Sequence, residues 1–105
     1  MNWVYLLLAG IFEIGWPVGL KMAQQPQTRW TGILLAIGFM TVSGGLLLLA
    51  QRQIPIGTAY AVWTGIGAAG TFLVGVIYYG DPSSMLRYAG VALIIAGVIT
   101  LKVAH

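Results

Sequence analysis

The stretch Trp3-Val-Tyr-Leu-Leu-Leu-Ala-Gly-Ile-Phe-Glu13-Ile-Gly-Trp-Pro-Val-Gly-Leu-Lys21 decides how the rest of the chain is read. As a helix rising about 1.5 Å per residue, it covers the roughly 30 Å hydrocarbon core of a bilayer. One acid, Glu13, stands near its midpoint. An ionised carboxylate at that depth costs several kcal/mol, so Glu13 is expected to face protein or water and to hold either a proton or a cation. A cleavable leader would carry a basic segment ahead of an uninterrupted apolar run. Here Glu13 and Pro17 interrupt the run and no basic segment precedes it, so the segment is expected to stay in the mature protein.

Composition points the same way. Of 105 residues, 59% are hydrophobic and 7% are charged. A soluble domain of this size needs charge on roughly a quarter of its residues, so the chain reads as an integral membrane protein with the lipid bilayer as its solvent. The absence of cysteine excludes a disulfide framework and a thiolate metal site. The cations Lys21, Arg29, Arg52, Arg87 and Lys102 are scattered singly at segment ends, which suits interfacial anchors and not a nucleic-acid surface.

Four apolar segments follow in order, at 3–22, 30–50, 57–79 and 84–102, each long enough for one crossing. The expected fold is all-α, a four-transmembrane-helix protein forming a single domain over residues 1–105. Pro26 and Pro55 stop the first two helices, Gly80-Asp81-Pro82 makes a turn, and Ser83 or Ser84 is placed to cap the last helix. Four crossings put Arg52 and Lys102 on one side and Lys21, Arg29 and Arg87, offset by Asp81, on the other. That split gives almost no bias under the positive-inside rule, which allows insertion in both directions and pairing of two oppositely oriented copies; a single weakly biased orientation is the alternative. In the fourth segment Gly90 and Gly97 share a face, a seam either for a second copy or for packing within one subunit.

On the first helix, Ala9, Gly10, Trp16 and Pro17 share the face of Glu13. Trp16 can offer an indole N–H to the carboxylate or a ring face to a cation. Pro17 has no N–H for the carbonyl of Glu13, so a bend with an exposed acceptor is expected at the site. Tyr60, Trp63, Thr64 and Gly67 follow helical spacing and are placed inward, against the alternative of an interfacial aromatic belt. Gly65, Gly67 and Gly70 make the middle of that helix easy to bend. Thr41 and Ser43 are expected to bond their own helix, Ser43 joining the site only if it faces Glu13. His105 is a lone histidine and no metal site; no phosphate loop, Ser-His-Asp set or paired carboxylate exists. No enzyme, cofactor or metal is expected. If protons and a cation compete for one carboxylate that opens to one side at a time, a proton gradient drives the cation out.

Glu13, the run Gly57-Thr58-Ala59-Tyr60-Ala61-Val62-Trp63 with Gly65 and Gly67, and the spacing of Gly90 and Gly97 resemble the small multidrug resistance transporters over nearly the whole chain. Trp16 three residues after Glu13, the Gly19-Leu20-Lys21 helix end, Ser43 and Trp63-Thr64-Gly65-Ile66-Gly67 are similar to the guanidinium exporter branch. The broad multidrug branch usually has a small residue where Trp16 stands. The resemblance implies an antiparallel, dual-topology homodimer in the bacterial inner membrane, with both Glu13 side chains in one site and protons exchanged for guanidinium-type cations. Two carboxylates match a planar guanidinium as forked acceptors, with Ser43 and Tyr60 orienting them or accepting bonds, and Trp16 and Trp63 walling the site and holding Glu13 through their N–H groups.

The chain departs from the pattern at Pro17 and at Gly44-Gly45, which replaces bulkier residues after Ser43. A looser lateral opening there favours tolerance for alkylated cations, including small quaternary ammonium ions. The alternatives are a broad quaternary ammonium exporter, one half of a heterodimeric exporter, a rotor-ring subunit, and a structural or channel protein in which Glu13 only joins helices.

Overall fold

The four apolar runs become four helices because a backbone in hydrocarbon has to satisfy its own hydrogen bonds. The computed structural model describes residues 2–104; His105 lies outside them. Helix α1 spans Asn2–Ala23, α2 Arg29–Ala50, α3 Ile56–Tyr78 and α4 Met85–Ala104, with a short 3-10 turn at Pro26–Thr28. Each agrees with its expected span to within two residues. All four are long and apolar enough to cross a membrane. The α1 helix runs unbroken through Pro17.

The connections are held by specific bonds. The Thr28 hydroxyl donates to the Met22 carbonyl at 2.7 Å, which also accepts the Gln25 N–H at 3.2 Å at the end of α1. Ile54 anchors the α2–α3 loop: it is 2% exposed and packs with Leu6, Ala50, Ala59 and Val62. Of the two serines proposed as caps, Ser84 serves, its Oγ accepting from the Arg87 N–H at 3.2 Å.

Successive helices alternate in direction, so the ends sort as expected. Asn2 reaches Gln53 at 2.6 Å and Lys102 lies over the Trp3 ring at 5.1 Å, which fixes the N-terminus, the Arg52 loop and the end of α4 together. Lys21 lies over the Tyr79 ring at the opposite end.

Helix α1 is central, with α2 and α3 both packed on it, and α4 leans on α3. The α1–α2 contact brings backbone against backbone at Gly19 and Gly32, and the Phe39 ring fills the notch at Gly15. A Cβ at Gly19 would fall 2.7 Å from both the Ala36 nitrogen and the Gly32 carbonyl oxygen. Small residues permit this approach, and close packing drives helix association where lipid is as apolar as leucine. At the α1–α3 contact side chains fill the notches, Ile66 at Gly10, Glu13 at Gly67 and Ile14 at Gly70. No residue of α4 is buried within the chain.

Candidate functional site

Glu13 opens onto a cavity of about 470 Å³ between α1 and α3. Its walls are Glu13, Trp16 and Pro17 from α1, Met40 from α2, and Tyr60, Trp63, Thr64, Gly67, Ala68 and Thr71 from α3. The α3 residues form one continuous stripe because their spacing follows the helical repeat. No lysine or arginine lines the cavity, so the Glu13 carboxylate has no resident cation there. It accepts a hydrogen bond from the Trp16 indole N–H one turn along the same helix. Gly67 lets α3 close over the acid: a Cβ at that position would overlap the Glu13 side chain.

Tyr60 and Trp63 stand ring to ring on the far wall, with centroids 5.5 Å apart and planes tilted by 54°. Their faces offer a cation the quadrupolar attraction of an aromatic wall. Trp63 does not use its N–H on Glu13. The indole donates to the Ser43 hydroxyl at 2.8 Å, and Ser43 in turn donates to the Ala9 carbonyl at 2.7 Å. Ser43 is fully buried and stands behind the wall, tying α2 to α1 and fixing Trp63. Thr41 does bond its own helix, donating to the Ile37 carbonyl at 2.8 Å.

The two glycines read together as a bend separate in space. Gly67 faces Glu13, whereas a Cβ at Gly65 would meet Val98 at 2.7 Å, so Gly65 seats α4. Two residues along a helix is a rotation of about 200°, which puts them on nearly opposite sides. Gly90 and Gly97 are exposed, and a Cβ at either meets no atom within 4 Å. A Cβ at Gly44 or Gly45 likewise meets no atom within 4 Å. Sequence reasoning missed Met40, Ala68 and Thr71. Thr71 lies one heptad beyond Thr64 on the same stripe, a signal that was there to be used. Met40 carries none, being one apolar residue in an apolar run.

The arrangement is a mid-helix acid with one fixed donor, aromatic walls and, among the described residues, no basic side chain on the cavity wall. Comparison with known proteins places the chain in a family. Residues 1–94 match the family described as Small Multidrug Resistance protein. A protein of Proteus vulgaris named Guanidinium exporter is 45% identical over 104 residues, covering 99% of each chain. Proteins of the same name from Salmonella typhimurium and Escherichia coli (strain K12) are 45% and 43% identical over 102 residues, 97% of this chain and 96% of theirs.

Proposed function

The chain belongs to the small multidrug resistance family, and from that premise we propose that it exports guanidinium-type cations from bacteria across the inner membrane in exchange for protons. The observation that carries the reading is the Glu13 carboxylate, held by Trp16 in an aromatic cavity without a basic residue. A charge there needs a partner, and the chain supplies none on the cavity wall. A planar cation with donors around its edge meets the carboxylate through paired N–H···O bonds, while Tyr60 and Trp63 lie against its face. When the cation leaves, a proton takes its place. Trp16 keeps the carboxylate aimed into the cavity in both states, and the Ser43 relay keeps Trp63 upright.

The working unit is an antiparallel pair of copies with both Glu13 side chains in one site. Three observations support it: the nearly even division of cations between the two ends, the unburied α4, and the exposed faces at Gly90 and Gly97. Substrates with short alkyl groups form a second reading, favoured by the open α2 face at Gly44 and Gly45.

The test is transport by the purified protein in vesicles. With a proton gradient, guanidinium moves against its own gradient, and the apparent KM rises as protons are added on the substrate side. Glu13→Gln abolishes coupled movement while the protein still assembles. Undiminished coupled uptake by that variant removes Glu13 from the mechanism.

A further inference from the structure

A second polar cavity, of about 140 Å³, lies at the end of the bundle where α1 and α3 finish. It is far larger than a single water needs, which is roughly 10–15 Å³. Its wall includes Pro17, Lys21, Thr71, Gly75, Tyr79 and Asp81. Pro17 and Thr71 also line the Glu13 cavity, so the two spaces share a wall and lie in series from the membrane surface inward.

The backbone puts Asp81 there for a stated reason. The Gly75 carbonyl accepts the N–H of Tyr79 at 3.1 Å and that of Asp81 at 3.0 Å. Between them Gly80 adopts φ of 65°, the left-handed conformation glycine takes without strain, and this folds the loop back onto the end of α3. The Asp81 carboxylate then occupies the notch left by the missing side chain of Gly75: a Cβ at residue 75 would meet its Oδ2, with Cγ at 3.1 Å. Across the same cavity the Lys21 ammonium lies 5.8 Å from the centre of the Tyr79 ring, at the outer limit for cation–π attraction. A carboxylate and an aromatic face are thus set around a small polar space that already attracts a cation, one tethered to α1.

We infer that Tyr79 and Asp81 form an outer binding site for guanidinium-type cations, which Lys21 fills when substrate is absent. The inference rests on the transport reading above and extends it to a place where substrate pauses between water and Glu13. It repeats the chemistry of the inner site, a carboxylate beside an aromatic ring. It differs in carrying its own competitor. An arriving cation displaces Lys21 from the ring, and the returning ammonium displaces the cation, so the outer site collects substrate without trapping it.

The test uses opposite substitutions in the full-length protein. Asp81→Asn raises the KM for guanidinium about two- to fivefold with kcat held, the range measured for partly exposed charge pairs. Lys21→Gln, which removes the competitor, lowers KM by a similar factor, and both effects shrink as salt screens them. Unchanged KM in both variants, or a shift in the same direction, overturns the proposal, since a merely structural loop has no reason to respond with opposite signs. A second measurement does not depend on transport. In Glu13→Gln protein, millimolar guanidinium chloride, but not potassium chloride, moves the NMR signals of the Tyr79 ring, and Asp81→Asn removes the response. Absence of that response also overturns the proposal. If the wild type carries no guanidinium while the ring signals still move, the transport reading falls and the outer site stands.

Discussion

Replacing Gly67 with alanine separates what the site needs from what the fold needs. The new Cβ would sit 3.1 Å from the Glu13 Cβ and 3.7 Å from its Cδ, and it would overlap Cγ outright. Ordinary carbon contacts begin near ~3.5 Å, so Cγ has to retreat by roughly 1 Å. A glutamate side chain does this by rotating, which carries the carboxylate away from the Trp16 N–H. Losing a hydrogen bond to a charged group costs about 1.5–3 kcal/mol, whereas the helix gains up to about 1 kcal/mol when glycine becomes alanine. Folding stability should therefore fall by about 0.5–2 kcal/mol, while kcat/KM for guanidinium falls about ten- to a hundredfold. The assay is initial-rate uptake into vesicles under a proton gradient, read beside thermal unfolding of the same preparation. Gly70→Ala is the control. It strikes Ile14 on the same α1–α3 seam, one turn away and outside the cavity wall. If Gly67→Ala keeps wild-type kcat/KM, or if Gly70→Ala loses as much, the position of Glu13 in its notch is not what matters.

Three further outcomes are expected. Gly19→Ala places its Cβ against backbone atoms of Ala36 and Gly32, which cannot rotate away, so thermal unfolding should shift by about 1–3 kcal/mol of overpacking; a variant as stable as the wild type refutes the backbone contact. Ser43→Ala orphans the Trp63 N–H and should cost about 1–3 kcal/mol in unfolding measurements, but clearly less in a Trp63→Phe background. Equal costs in the two backgrounds refute the relay. Two or three lysines added after residue 105 should fix one orientation and inactivate a lone variant, with uptake restored by a copy biased the opposite way; unchanged uptake by the lone variant counts against oppositely oriented pairs.

The fold was legible because a bilayer imposes simple demands. Apolar runs of a set length become helices, and the breakers at Pro26, Pro55 and Gly80 needed no tertiary information. Glu13 was legible for the same reason, since an acid at that depth has few tolerable environments. The facing stripe on α3 followed from spacing alone. What stayed hidden depended on how one helix is rotated against another. That Trp63 bonds Ser43 and not Glu13 is set by the turn of α2 about its axis, which a run of apolar residues does not encode. Met40 enters the cavity for the same reason. The separation of Gly65 and Gly67 around the helix was in the numbering, and the identity of their neighbours, α4 for one and α1 for the other, had to come from the structure.

The two seams of α1 differ in how far they rest on side-chain torsions. Against α2 its main chain touches main chain at Gly19 and Gly32, with the Phe39 ring seated over Gly15 one turn away. Against α3 it is joined by three interlocked side chains, each with alternative torsions. One of the three is Glu13. The seam that rests most on side-chain torsions is therefore also the one that carries the mid-helix acid.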